Sequence, residues 1–192
     1  VDDDGERPNA LLAAYGLTDR DFVLFERLFT ATLAPSGLDG GDILDALARG
    51  HTPREALGLP AGIIDVVYAR AHQWFTVGRA DRAEPLFRAL CVLAVGEADH
   101  WLGLGICMRL RGDLAGAETS FSAAARLRPG WAIPQFHAAE LYMRQGRRTD
   151  AARALEAFRM LRDDTTPQPI VLQAARYATA LDQSTAERPT GS

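Results

Sequence analysis

The apolar positions of this chain fall into stripes at helical spacing, separated by Gly, Pro and polar residues. Near the start, Thr18-Asp19-Arg20-Asp21 has the order of a capping box. Phe22, Val23, Leu24, Phe25, Leu28, Phe29 and Leu33 follow it and predict a helix apolar on more than one face. Packing or self-association is the expected use of such a helix, with Phe22, Phe25, Leu28 and Phe29 as candidate dimerisation residues. Residues 1–17 are acidic at first, carry Gly and Pro, and are expected to fray. The stretch 34–41 reads as a linker, after which Asp42 caps a short helix carrying Ile43, Leu44 and Leu47. Thr52-Pro53-Arg54-Glu55 predicts another: an N-cap, a proline at the first helical position and an acid at the third. Gly58 and Pro60 end that turn. Far along the chain, Pro167 and Pro169 interrupt it, and Ile170, Ala174, Tyr177 and Leu181 form one further apolar stripe.

Between these segments, Gly103 and Gly105 lie inside a stretch that otherwise reads as a helix. Each costs about 0.5–1 kcal/mol relative to Ala, so the close approach of a neighbouring helix is expected there. A repeat explains the pattern. Gly78, Gly112 and Gly146 stand 34 residues apart, as do Ala83, Ala117 and Ala151. Ala71, Gly105 and Ala139 keep the same step, and so do Phe87, Phe121 and Leu155. A period of 34 in this form resembles the tetratricopeptide repeat, a helix–turn–helix unit. On that reading Ala71, Gly105 and Ala139 lie on first helices and face Ala83, Ala117 and Ala151 on second helices. Gly78, Gly112 and Gly146 end the first helices with positive φ. Asp81, Asp113 and Asp150 offer carboxylates to the free N–H groups of the second helices.

The expected architecture is all-α: three tandem tetratricopeptide helix-turn-helix repeats in a curved solenoid. An extension covers residues 1–41 and short helices cover 42–63. Repeats follow over 64–97, 98–131 and 132–165, within 64–165. A capping helix over 166–182 closes the stack, and 183–192 is expected to be a disordered tail.

Composition narrows the function classes. The chain has 192 residues, 47% hydrophobic and 24% charged, as in an ordinary globular protein. No run reaches the roughly 18 apolar residues that span a membrane, and no basic-then-apolar signal segment opens the sequence. Because it begins on Val1 and closes on Gly191-Ser192, neither end is read as a natural terminus. The net charge of −4 argues against binding driven by nucleic-acid phosphates. All 21 basic residues are Arg, which a GC-rich genome explains. Cys91 and Cys107 are too few for a disulfide framework and read as buried thiols.

Enzyme chemistry has little support. His51, His72, His100 and His137 show neither a HExxH spacing nor a Cys/His zinc pattern. Gly103-Leu104-Gly105 lies within a repeat helix, so it is not a phosphate loop. No cofactor and no metal is expected. The binding surface of stacked helix pairs is the concave face lined by the first helices. There the repeat phase places Tyr68, His72, Phe75 and Thr76, then Leu102, Ile106, Arg109 and Leu110, then Phe136, His137, Glu140 and Met143. This lining is apolar and partly aromatic, and suits an extended peptide with hydrophobic anchors. A carboxylate clamp would need Lys and Asn at these positions; the chain has no Lys, and Arg109 alone is a poor clamp.

Three strings occur in order and in this phase: Ala89-Leu90-Cys91-Val92-Leu93, Leu102-Gly103-Leu104-Gly105-Ile106-Cys107 and Phe136-His137-Ala138-Ala139-Glu140. They resemble the class II, tetratricopeptide-type translocator chaperones of bacterial type III secretion systems, over about residues 45–165. The resemblance implies a cytoplasmic, non-enzymatic chaperone that holds hydrophobic translocator proteins until export. It implies a groove that takes an extended client segment with a Pro-x-Leu-x-x-Pro pattern. Tyr68 and Phe75 match groove aromatics of the family, whereas His72 stands where an aromatic is expected. It also implies a homodimer formed through N-terminal helices, although residues 1–41 are longer here than is usual. Some family members also bind a transcription activator as co-activators. A generic interaction scaffold, a co-activator and an enzyme remain as competing readings. A neighbouring gene for a membrane-active secreted protein favours the chaperone. A complex with an activator favours the second alternative, and a bound metal or cofactor the third.

Overall fold

A computed structural model describes residues 45–47 and 49–186. The residues expected to form the N-terminal extension, 1–41, and the last six, 187–192, lie outside the described residues, as do Asp42 to Leu44. The regular structure among the described residues is entirely helical. The chain divides into two compact units, the first reaching Val66 and including Val92–Ala94, the second holding Val67–Cys91 and Val95 onward.

In the first unit, α1 (Pro53–Ala56) is a single turn built by its own sequence. The Thr52 side chain accepts the Glu55 N–H at 3.3 Å, and the Glu55 carboxylate accepts the Thr52 N–H at 2.9 Å. This reciprocal pair, with Pro53 at the first position, is the capping box that the sequence predicts.

The second unit holds most of α2 (Ile63–Thr76) and α3 (Ala80–Leu93), then α4 (Ala98–Leu110), α5 (Leu114–Leu127), α6 (Ile133–Arg144), α7 (Arg148–Leu161) and α8 (Gln168–Ala186). Consecutive helices pair: α4 packs on α5, α6 on α7, and α5 on α6, while α8 lies against α6 and α7. In the first pair, the Tyr68 ring of α2 meets the Phe87 ring of α3 edge-on, with centroids 6.2 Å apart.

The same turn joins the two helices of each pair. Gly78, Gly112 and Gly146 have φ of 75°, 88° and 69°. The glycine N–H reaches back to the carbonyl of Phe75, Arg109 or Met143, and the next residue's N–H to that of Trp74, Met108 or Tyr142. Paired bonds of this kind close a helix in the Schellman motif, which needs a left-handed residue at the glycine position. The same pair of bonds thus ends the first helix in all three repeats.

The close approach follows from side-chain size. Ala71, Ala139, Ala83, Ala117 and Ala151 are all 0% exposed, and Gly105 is buried. A Cβ on Gly103 would lie less than 3 Å from the Phe87 ring, and one on Gly105 would lie 2.6 Å from the Phe121 ring. The two glycines therefore seat two successive members of the Phe87, Phe121, Leu155 column, all of them buried. Ala139, Ala151 and Leu155 share one core with Phe136, Phe158, Ala174 and Leu181, which spans α6, α7 and α8.

Ion pairs tie each repeat to the next. Glu84 of α3, 7% exposed, holds Arg88 and also Arg111, which lies in the turn after α4, at 2.8 and 2.9 Å. Glu118 of α5, 34 residues on, holds Arg147 in the turn after α6 at 2.7 Å and accepts from the Tyr142 hydroxyl at 3.1 Å. In the third repeat Ala152 takes this position. It lines a cavity of about 430 Å³ between α7 and α8, with Leu155, Phe158, Val171 and Leu181. Here α8 is secured differently: Arg148 donates to the Leu181 carbonyl at 2.6 Å.

Two expectations are corrected. Of the three aspartates assigned to helix N-termini, only Asp113 caps, accepting the Gly116 N–H at 2.9 Å. Asp81 is held by Arg79 at 2.7 and 2.9 Å, a pairing that brings its carboxyl down to about 2. Asp150 is engaged by Arg147 and Arg153. Both stand inside the first turn of their helices and not at the N-cap position that Asp113 holds, and there they pair with arginines. The second correction concerns the tail: α8 continues past Asp182 to Ala186, so the helix takes in the first residues of the segment 183–192 expected to be disordered.

Gly105→Ala raises helix propensity yet forces a Cβ into Phe121 and Ser120. We expect it to destabilise the protein by about 1–3 kcal/mol in urea unfolding; an unchanged or raised midpoint would contradict the packing described.

Candidate functional site

The face formed by the first helices α2, α4 and α6 carries two clusters. The first centres on Tyr68, which is 36% exposed. Its ring lies 5.5 Å from that of His100 and 6.3 Å from that of His72. His72 is exposed, and its Nδ1 lies 3.4 Å from the Thr76 hydroxyl, which itself donates to the His72 carbonyl at 2.8 Å. His100 is buried, and its Nδ1 has no hydrogen-bond partner. Burial, with the charge of Asp99, raises the Tyr68 pKa, so the phenol is a neutral donor at physiological pH.

The second cluster joins α4, α6 and α8 around Glu140. One carboxylate oxygen, Oε2, lies 3.1 Å from Arg109 Nη1 and 3.5 Å from His137 Nδ1. The other, Oε1, accepts from the Tyr177 hydroxyl of α8 at 3.4 Å. The His137 ring stacks on Phe121 at 5.7 Å, which fixes its position against α5. His137, together with Arg109 and Arg144, holds the Glu140 carboxyl below the usual range against the opposing effect of burial. Burial lowers the Arg109 pKa, and Glu140 offsets part of that effect.

The structure therefore brings together Tyr68 with His72, and Arg109 with His137 and Glu140. Phe75, Leu102 and Ile106 are half-buried residues of the same first helices. Leu110 is 55% exposed. Phe136 is a correction: it is 6% exposed and packs on Phe158 at 5.9 Å and Tyr177 at 6.1 Å. It belongs to the core under α8 and does not present a ring to a ligand. Met143 packs against that same core. Phe22, Phe25, Leu28 and Phe29 lie outside the described residues. Two residues that the sequence did not single out as site residues lie against these groups: His100, against Tyr68, and Tyr177, on Glu140. Tyr177 was legible only as part of a capping stripe, and nothing in the repeat phase pointed to His100.

Other chemistry has little footing. Cys91 and Cys107 are free, and burial pushes their thiols up to about 12 and about 11, so neither is a thiolate nucleophile. Among the described residues no His, Cys, Asp and Glu group is arranged to hold a metal ion, and no helix is long and apolar enough to cross a membrane.

The Glu140 contribution to stability is present above the ordinary Glu pKa of about 4.3 and is lost as pH falls through its lower folded value. Wild-type stability should fall with acidification there, and Glu140→Gln should remove part of that slope. At neutral pH the same substitution leaves Arg109 buried without its counter-charge, at a cost of about 2 kcal/mol. Arg109→Met combined with Glu140→Leu should recover most of it. Urea midpoints across pH check both statements.

No family model matches the chain. The chaperone protein SicA of Salmonella typhimurium is 28% identical over 148 residues, covering 76% of this chain and 87% of that protein. The crystal structure of PcrH in complex with the chaperone binding region of PopB is 30% identical, with a TM-score of 0.56, over 65% of this chain and 98% of that one. The Yersinia enterocolitica type III secretion chaperone SycD, in complex with a peptide of the translocator YopD, superposes with a TM-score of 0.63 at 24% identity. That match covers 66% of this chain and 97% of that one, and shares the fold. With the three-fold helix-turn-helix repeat and these relatives together, the chain belongs to the class II, tetratricopeptide-type translocator chaperones of bacterial type III secretion systems.

Proposed function

We propose that this protein is a cytoplasmic, non-enzymatic chaperone that holds a hydrophobic translocator through the face of α2, α4 and α6. The observation that carries the reading is the relative PcrH, 30% identical, crystallised with the chaperone binding region of PopB. The face supports it physically. Tyr68 and His72 are exposed aromatic groups on a helix whose partner helices are fixed by buried alanines and glycines. Rigid aromatic side chains bind apolar anchors with little loss of entropy on their own side. A client segment containing proline is already stiff and loses little on its side. Binding in an extended form keeps the client's apolar segment out of water and away from other chains. Such a mechanism needs no bond making and no cofactor.

The test is titration with a Pro-x-Leu-x-x-Pro peptide from a candidate translocator, read by calorimetry and by the fluorescence of Trp74 and Trp101 on α2 and α4. We expect saturable binding that weakens on Pro→Ala or Leu→Ala in the peptide. Tyr68→Ala with Phe75→Ala should cost about 2 kcal/mol or more of binding energy with helix content intact. A double variant that binds as tightly as the wild type would remove these residues from the client site.

A further inference from the structure

Arg109 is the one cation that the repeat phase places in the middle of the binding face, and its environment leaves it incompletely satisfied. The residue is 7% exposed, yet Nε and Nη1 are both fully buried without a hydrogen-bond partner. Glu140 supplies the counter-charge at 3.1 Å but not the alignment of a hydrogen bond. The same carboxylate must also face His137 Nδ1 and the Tyr177 hydroxyl. One anion therefore serves three neighbours, while Arg144 adds a second positive charge close enough to act on Arg109. Around this point Arg109, Glu140, His137 and the Tyr177 hydroxyl meet from α4, α6 and α8, with the Arg144 charge acting on Arg109.

A guanidinium has five N–H donors and no acceptor. One carboxylate does not satisfy five donors, so a second oxygen acceptor at the part of the guanidinium that is not enclosed is favourable. A carboxylate is the acceptor whose charge and geometry arginine fits. The remainder of the face, around Tyr68, Phe75, Leu102 and Ile106, is apolar or aromatic and does not distinguish one apolar client from another by charge.

We propose that Arg109 reads an acidic residue of the client, set between its apolar anchors, so that this chaperone prefers a client segment carrying Asp or Glu at one defined position. The inference rests on the face of α2, α4 and α6 being the client site. On binding, the client carboxylate meets the guanidinium at the edge that is not enclosed, since Nε and Nη1 are fully buried, and Glu140 keeps Nη1, His137 and Tyr177. Apolar anchors supply most of the affinity; Arg109 supplies register and choice among clients.

The test uses four peptides in one Pro-x-Leu-x-x-Pro frame: one with alanine at all three variable positions, and three with a single glutamate at each in turn. Each is titrated into the wild type, Arg109→Met and Arg109→Lys. In the wild type, one glutamate peptide should bind about fivefold tighter than the alanine peptide, and the gain should shrink as salt is raised. In Arg109→Met, and in Arg109→Met with Glu140→Leu, which leaves no unpaired charge, the ratio between the glutamate and alanine peptides should fall to one whatever the affinity for the alanine peptide; Arg109→Lys should keep part of the ratio. Equal binding of all four peptides to the wild type, or a gain that survives Arg109→Met, overturns the role of Arg109. Failure of the folded wild type to bind any of the four overturns the client-site reading itself, and this inference with it.

Discussion

The structure depends on how closely two antiparallel helices can lie. Within each repeat, alanine or glycine stands where the first helix meets the second, and the alanines of both columns are 0% exposed. At such a position a methyl group is the largest side chain that fits, and at Gly105 even that is excluded by the Phe121 ring. Close packing of this kind leaves no room for adjustment, because interiors are as dense as organic crystals. The left-handed glycine turn then sets the return angle. Small residues in the columns and the left-handed turn recur in all three repeats, and together they let each second helix fold back on its first.

Stacking the pairs uses a second device. Glu84 and Glu118 stand on second helices, each gripping an arginine in the turn between the two helices of the next repeat. Buried or half-buried ion pairs add little net stability, but they penalise any slip that would leave one partner alone. Among the described residues the third repeat is followed by the single helix α8, and its equivalent residue is Ala152. A single helix, α8, closes the stack there through Phe136, Tyr177 and Leu181 and through the bond from Arg148 to the Leu181 carbonyl. That solution is consistent with a solenoid needing a distinct end, since the last apolar face has no repeat to cover it.

Function follows from what such a frame presents. First helices held this firmly carry their outward side chains on a preorganised surface, which limits the entropy lost on binding. The surface is not uniform along the stack. Around α2 and the start of α4 it is aromatic, with Tyr68 between His72 and His100. Further along, Arg109, Glu140, His137 and Tyr177 make it polar and link three helices through one carboxylate. An extended client would meet apolar anchoring at one part and charge at another, which suits recognition of a segment with direction and register.

The sequence by itself determined the helical class, the period of 34 and the residues of each turn, because these follow from local rules. A glycine that ends a helix and an alanine at a crossing keep their meaning wherever the repeat occurs. It did not determine which member of a column is covered. Tyr68 and Phe136 occupy the same repeat position, yet Tyr68 is 36% exposed and Phe136 6%, because α8 packs over the second. Asp81 and Asp150 have the chemistry of a cap but stand within the first turn, where they pair with arginines. Arg109 is a surface cation by composition and a buried one in the fold, brought to Glu140 across the gap between repeats. Helical phase fixes the direction of a side chain from its own axis; only the arrangement of neighbouring helices decides what stands in its way.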